Sequence, residues 1–208
     1  MPNWCSNTVT LRHDEPAMIT RAVEAINRGE FLNEFIPVPQ ALKDTVAGTV
    51  TEPEHMKQRA DNVKKYGYPD WYDFCTNEWG TKWDVGEEGA AQHINENTVH
   101  FYFDSAWSPP VAAYEKLQDM GFMVDAMYYE PGMAYAGVFD EFGDECFQFD
   151  GMSSSEVREN IPVGLDAEFA ISEQMEEWEK ENEEELTRWY KDGVEDTGLT
   201  PHKAPIDE

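Results

Sequence analysis

Polar and apolar positions alternate from Trp4 to Leu11, with Cys5, Asn7, Val9 and Leu11 on one side, and this period of two predicts a strand. The period then lengthens. Ile19, Ala22, Val23 and Ile26 recur at helical spacing, Asp14 stands at the cap position, Pro16 lies in the first turn and Gly29 follows the last apolar residue, so a helix is expected. Residues 31–42 (FLNEFIPVPQAL) are apolar, but Pro37 and Pro39 exclude a central strand, and the stretch reads as an extended lid over one end of the core. A polar loop over 44–53 follows. A helix over His55–Tyr66 carries Lys57, Arg59, Lys64 and Lys65 and stops at Gly67. Asp70 then opens a second helix, DWYDFCTNEW.

Thr81–Val85 alternates and reads as a strand, and residues 86–97 as a turn-rich connection. Thr98–Asp104 is the next strand, with Val99, Phe101 and Phe103 on one face and His100 and Tyr102 on the other. Asp104–Trp107 is the joint between that strand and a helix. Ser108 caps the helix, Pro109 and Pro110 fill its first positions, Val111, Tyr114 and Leu117 face inward, and Gly121 ends it. A strand over 122–129 follows, then a type II turn at Glu130-Pro-Gly-Met133. Two strands, 134–139 and 145–149, are joined by the acidic turn 140–144. Beyond Gly151 the composition changes. Residues 153–166 look loop-like, a helix is expected at about 172–190, and a disordered tail after it. Ile171, Met175, Trp178, Leu186 and Trp189 give that helix a narrow apolar stripe.

The order of elements is βαββαβ, an α+β, ferredoxin-like antiparallel sheet. Residues 1–150 form this domain, with a helical insertion at about 43–80 and an extra C-terminal hairpin. Residues 151–208 form an acidic extension.

Charge changes the picture most. The chain has 208 residues with 43 Asp and Glu against 15 Lys and Arg, a formal charge of −28. Phosphate backbones and anionic membranes repel such a surface, and basic protein patches are steered onto it. Cys5, Cys75 and Cys146 are far apart, with no CxxC, and His13, His55, His93, His100 and His202 show no metal-ligand spacing. Gly-rich phosphate loops and nucleophile elbows are missing. The sequence therefore points to no metal, no cofactor and no catalytic residue. No signal peptide is apparent at Met1-Pro-Asn-Trp and no apolar run approaches about 20 residues, so a cytoplasmic protein is expected.

Two candidate sites stand out. Lys82, His100, Asp104, Trp107 and Tyr129 can line a strand-end pocket for a small ligand or an enzymatic reaction. Trp79 and Trp83 around Lys82 could also form a ligand-stacking platform or a cation–π clamp, whereas the plainer alternative pairs Lys82 with Asp104, turns Trp83 toward the core and uses Trp107 as a plug beneath the helix start. The second candidate is acidic. Eight glutamates fall between residues 173 and 185, and Asp140, Glu141, Asp144 and Glu145 cluster in the hairpin. A solvated charged face is the ordinary account. The sharper account is a surface that imitates the phosphate track of a nucleic acid, with Glu176, Glu177, Glu183 and Glu184 as contacts and Trp178 and Trp189 as anchors.

Four motifs, NWCSNTV, YGYPDWYDFCTNEWGTKWDV, FDSAWSPP and YYEPGMAYAG, occur in that order. Together they resemble the phage- and plasmid-encoded YubB-type (Api-like) ferredoxin-like proteins, over roughly residues 2–140. The resemblance implies a fold and a mobile-element setting, and brings no catalytic residues with it. Together with the acidic surface, this setting gives the expectation of a non-enzymatic binding protein, monomeric or dimeric. Such a protein would act in the host cytoplasm, where it inhibits or modulates a basic, nucleic-acid-binding host protein of defence or nucleic-acid processing.

Overall fold

The first alternating stretch becomes β1 (Trp4–Arg12), and the remaining strands assemble around it. It pairs antiparallel with β3 (Thr98–Ala106) on one side and with β4 (Met123–Glu130) on the other. β2 (Ala91–Asn95) adds outside β3, while β5 (Tyr135–Asp140) and β6 (Gly143–Gln148) extend the sheet beyond β4. The sheet order is β2-β3-β1-β4-β5-β6, and every neighbouring pair is antiparallel. Its first four strands have a ferredoxin-like arrangement, so the α+β expectation holds. The computed structural model describes residues 2–182. The chain divides into two compact units, Met1–Asp150 and Gly151–Glu208.

In the first unit one face of the sheet carries the core. Val9 and Leu11 of β1, Val99 and Phe101 of β3 and Val124 of β4 are buried there. They meet Ile19, Ala22 and Ile26 of α1 (Pro16–Arg28) and Ala113, Tyr114 and Leu117 of α6 (Val111–Asp119). Period two on the strands and period 3.6 on the helices thus converge on one apolar layer. The opposite face presents Ser6, Thr8 and Thr10 beside Asp104, Tyr102 and His100.

Several expectations need correction. The lid over 31–42 is not extended: it forms two short helices, α2 (Phe31–Phe35) and α3 (Gln40–Lys43), and it does bury Phe31, Leu32, Phe35 and Leu42. The insertion continues with α4 (Pro53–Tyr66) and α5 (Trp71–Glu78). Asp70 caps α5 by accepting from Asp73 N at 3.0 Å, and Gly67 ends α4 with φ 85°. Glu15, not Asp14, occupies the cap position of α1, without a side-chain bond.

Residues 81–85 are no strand. The Asp84 carboxylate accepts from Leu32 N (2.7 Å), Asn33 N (3.1 Å) and Val85 N (2.9 Å), which bends this segment onto the lid instead of into the sheet. The second strand lies ten residues later, in the stretch expected to be a turn-rich connection. Ser108 does not cap α6. Its Oγ donates to Gly80 O at 2.6 Å, and Pro110 holds the cap position. The 130–133 turn is not type II, because the left-handed residue is Ala134 (φ 52°), not Gly132. The buried Glu130 carboxylate stabilises this turn by accepting from Gly132 N at 2.9 Å and Met133 N at 2.7 Å.

The second unit is helical where a loop was expected. Ser153 and Glu156 form a reciprocal capping box that starts α7 (Ser154–Asn160). α8 (Val163–Phe169) ends at the left-handed Ala170. Residues 171–182 then form α9, whose first turn is capped by Asp166, accepting from Ser172 N and Oγ, both at 2.7 Å. Val157, Ile161, Leu165 and Ile171 are buried. The expected helix beyond 182 and the disordered tail lie outside the described residues.

Candidate functional site

Two places in the first unit combine exposure with unusual chemistry. One surrounds Lys82. The loop carrying it is fastened to the strand–helix joint by Thr81 Oγ1, which donates to Ala106 O at 3.0 Å, and by the Ser108–Gly80 bond. Gly80 has φ 87°, and a Cβ there would meet Ala112 N and Val111 N at 3.2 Å, so a side chain would be strained and crowded. The Lys82 Nζ lies 4.6 Å from the ring centre of Trp83, 5.0 Å from Trp107 and 5.9 Å from Tyr72. Each ring presents its electron-rich face to the cation. No carboxylate among the described residues pairs with it.

Trp107 does not plug the core. It is 42% exposed and holds φ 69°, a region where a bulky side chain costs on the order of 1–3 kcal/mol. Two bonds fix it there: its N–H donates to Asn3 O at 2.9 Å, and Tyr135 Oη donates to its carbonyl at 2.7 Å. Trp83 likewise faces outward at 40% exposure, against Trp4 at 5.9 Å.

Beside this cluster opens a cleft of about 430 Å³. Lys43, Lys82, Trp71, Trp83, Asn33 and Asp84 are among its lining residues. Burial pushes the Asp84 carboxyl above its usual range against the pull of its three amide donors.

The strand-end pocket drawn from the sequence does not assemble. Lys82 and Trp107 meet, but Asp104 accepts from Ser6 Oγ at 2.8 Å instead of pairing with Lys82. His100 lies between Thr8 and Thr10 (3.3 and 2.9 Å) in a separate hollow of about 220 Å³ with Asp125 and Asp140. Tyr129 is buried and stacks on Phe149 at 6.1 Å. Lys43, Trp4 and Tyr72 were missed. No local pattern marks them, since the cluster joins segments far apart in sequence.

The second place is the β5–β6 hairpin. Asp140 Oδ1 accepts from Phe142 N at 2.7 Å and shapes the turn. Phe142, at the tip, is 90% exposed. Glu141, Asp144 and Glu145 are exposed around it, and no cation among the described residues pairs with them or with Asp140. The hairpin rests on Tyr128, which crosses Gly137 and donates from Oη to Asp144 at 2.7 Å. Burial, then this bond to Asp144, drives the Tyr128 phenol well above its usual range. Asp140 and Glu141 also line a cleft of about 470 Å³, together with Asp125 and the Arg12 that pairs with it. The phenylalanine within EFGDE was legible as an apolar residue set in an acidic turn.

The expected acidic contacts of the extension divide. Glu176 pairs with Arg158 and Lys180, and its carboxyl is held down at about 2 by the bond from Lys180 first and from Arg158 next. Glu179 accepts from Ser154 N (2.8 Å) and Oγ (2.7 Å). Glu177 is exposed, as is Trp178 at 66%. Glu183, Glu184 and Trp189 lie outside the described residues.

Among the described residues no cluster of His, Cys, Asp and Glu could hold a metal ion, and no helix is long and apolar enough to cross a membrane. No family model matches the chain, and no curated protein matches it. The crystal structure of a protein api92 from Yersinia pseudotuberculosis (family model DUF1281) is similar to 71% of this chain and 98% of its own. The identity is 10% and the TM-score 0.40.

Proposed function

We propose that this protein is a non-enzymatic binding protein of a phage or other mobile genetic element. In this reading it inhibits or modulates a basic, nucleic-acid-binding host protein through its acidic surface. The mobile-element setting rests on the motif resemblance. The observation that carries the binding mode is the β5–β6 hairpin, where Asp140, Glu141, Asp144 and Glu145 surround an aromatic side chain 90% exposed. Carboxylates without counter-cations attract Lys and Arg, and an exposed aromatic anchor supplies contact area at low entropy cost. At a net charge of −28, long-range steering adds to the encounter rate.

The test is capture of bacterial proteins by the full chain, with duplex DNA as competitor. The expected partners are nucleic-acid-binding proteins that DNA displaces, that salt of about 0.5 M releases, and that the E141K/E145K variant no longer holds. Partners indifferent to DNA and to the hairpin reversal would overturn the reading.

A further inference from the structure

We propose that the cleft between the lid and the Lys82 loop binds a small, planar aromatic anion of about mononucleotide size. Its ring packs against Trp71 and Trp83, and its anionic group is held by Lys82 and Lys43. The proposal is independent of the acidic hairpin and goes beyond it.

Four observations carry it. First, both lysines that line the cleft are without a carboxylate partner, in a chain with an excess of acids. Among the described Lys and Arg residues only Lys43, Lys57, Lys65 and Lys82 lack an ion pair with another described residue, and two of them line this cleft. Second, the acids that line it have their oxygens turned to other partners, although Asp84 keeps its charge. Asp84 is occupied by three backbone amides, and Glu30 pairs with Arg28.

Third, Lys82 is held without being neutralised. Ring faces fix an ammonium group in place but leave its charge unpaired, whereas a carboxylate would cancel it. Tyr72 and Trp107 stand behind the lysine and outside the cleft lining, so they act as positioning residues. Trp107 holds this position in a strained backbone, as binding-site residues often do. Fourth, the volume of about 430 Å³ falls within the range of small-molecule pockets, and Trp71, Trp79 and Trp83 are among the lining residues. A polymeric nucleic acid is excluded by the repulsion of the rest of the surface.

A free nucleotide and an aromatic carboxylate share this chemistry, and the experiment separates them. Full-length protein labelled with 15N at the indoles is titrated with adenosine 5′-monophosphate, indole-3-acetate, adenosine and inorganic phosphate. One of the two aromatic anions is expected to move the Trp71 and Trp83 indole signals with saturation below about 1 mM, and adenosine and phosphate to bind at least about tenfold more weakly. Lys82→Met and Lys43→Met should each weaken binding about tenfold. Trp107→Gly relieves the backbone, so its Tm should not fall, yet affinity should drop because Lys82 loses a wall.

Unmoved Trp71 and Trp83 signals with both anions would overturn the proposal. Equal binding of adenosine would overturn the role of the lysines, and equal binding of phosphate the role of the indoles. Undiminished affinity in Trp107→Gly would overturn the positioning role. None of these outcomes touches partner capture by the hairpin, so the two proposals fail separately.

Discussion

In the β5–β6 hairpin, Glu141 and Glu145 face solvent with no described cation paired to them, while in α9 Glu176 is held between Arg158 and Lys180 and Glu179 is fastened to Ser154. Both stretches look alike as runs of acid. The helical carboxylates tie together the described helices α7, α8 and α9 by capping and pairing. The hairpin carboxylates have no such duty, apart from Asp140 bonding its own turn and Asp144 accepting from Tyr128. Acidic density in a sequence therefore says little about whether charge is available to a partner. The distribution of nearby cations and unsatisfied amides decides it.

The comparison breaks first at the partner. The E141K/E145K pair should weaken capture of the basic partner by about 100-fold, or about 2.7 kcal/mol, with an unchanged Tm. The control E173K/E177K in α9 should weaken it less than about threefold. If titration calorimetry shows the two pairs to be equivalent, the distinction between the stretches is wrong. Next comes the seat of the hairpin. A Cβ at Gly137 would lie 2.2 Å from Tyr128 Oη and 2.7 Å from Glu145 O, so Gly137→Ala should cost about 2 kcal/mol in urea unfolding.

On the helical side, Ser153→Ala removes half of the capping box and should destabilise the second unit by about 1 kcal/mol, read as faster amide exchange at the start of α7. The smallest effect is the acid response of Glu176. Its folded carboxyl titrates at about 2, below an ordinary glutamate near 4.3, so the folded state binds this proton less readily than the unfolded chain. The stabilisation is complete above about pH 4.3 and fades as the pH falls through about 2. A carboxyl-carbon NMR titration of Glu176 checks this, and a midpoint near 4 would dissolve the Arg158–Glu176–Lys180 pairing.

Much of the first unit was legible because burial is one-sided. Strands β1 and β3 and helices α1 and α6 each put one apolar face on the same core, and that periodicity is written into residues such as Val9, Phe101, Ile26 and Leu117. β2 was missed because it is an edge strand with hardly any buried face, so its residues show no alternation. Thr81–Val85 alternates without being a strand, since Asp84 spends its oxygens on the lid's amides, a contact across 52 positions. Helices α7 and α8 were missed for their brevity, although the Ser153–Glu156 signature was on view. The Lys82–Trp83 clamp was visible as an alternative but lost to the strand reading, and its further rings, Trp107 and Tyr72, were not visible. Alternation assigned Trp83 to the core and paired Lys82 with Asp104, and both inferences fell with the strand that supported them.

The central position of β1 also has a kinetic consequence. β1 is synthesised before both of its neighbours, which lie far downstream at residues 98–106 and 123–130. Its edges stay unpaired until most of the first unit has been made, which at ordinary synthesis rates of ~5–20 residues per second is on the order of ten seconds. Sheet closure is then a late, long-range event with a large loop-closure entropy to overcome. The nascent chain carries Val9 and Leu11 exposed for that interval, and a chaperone that shields short apolar strands has a ready target in β1.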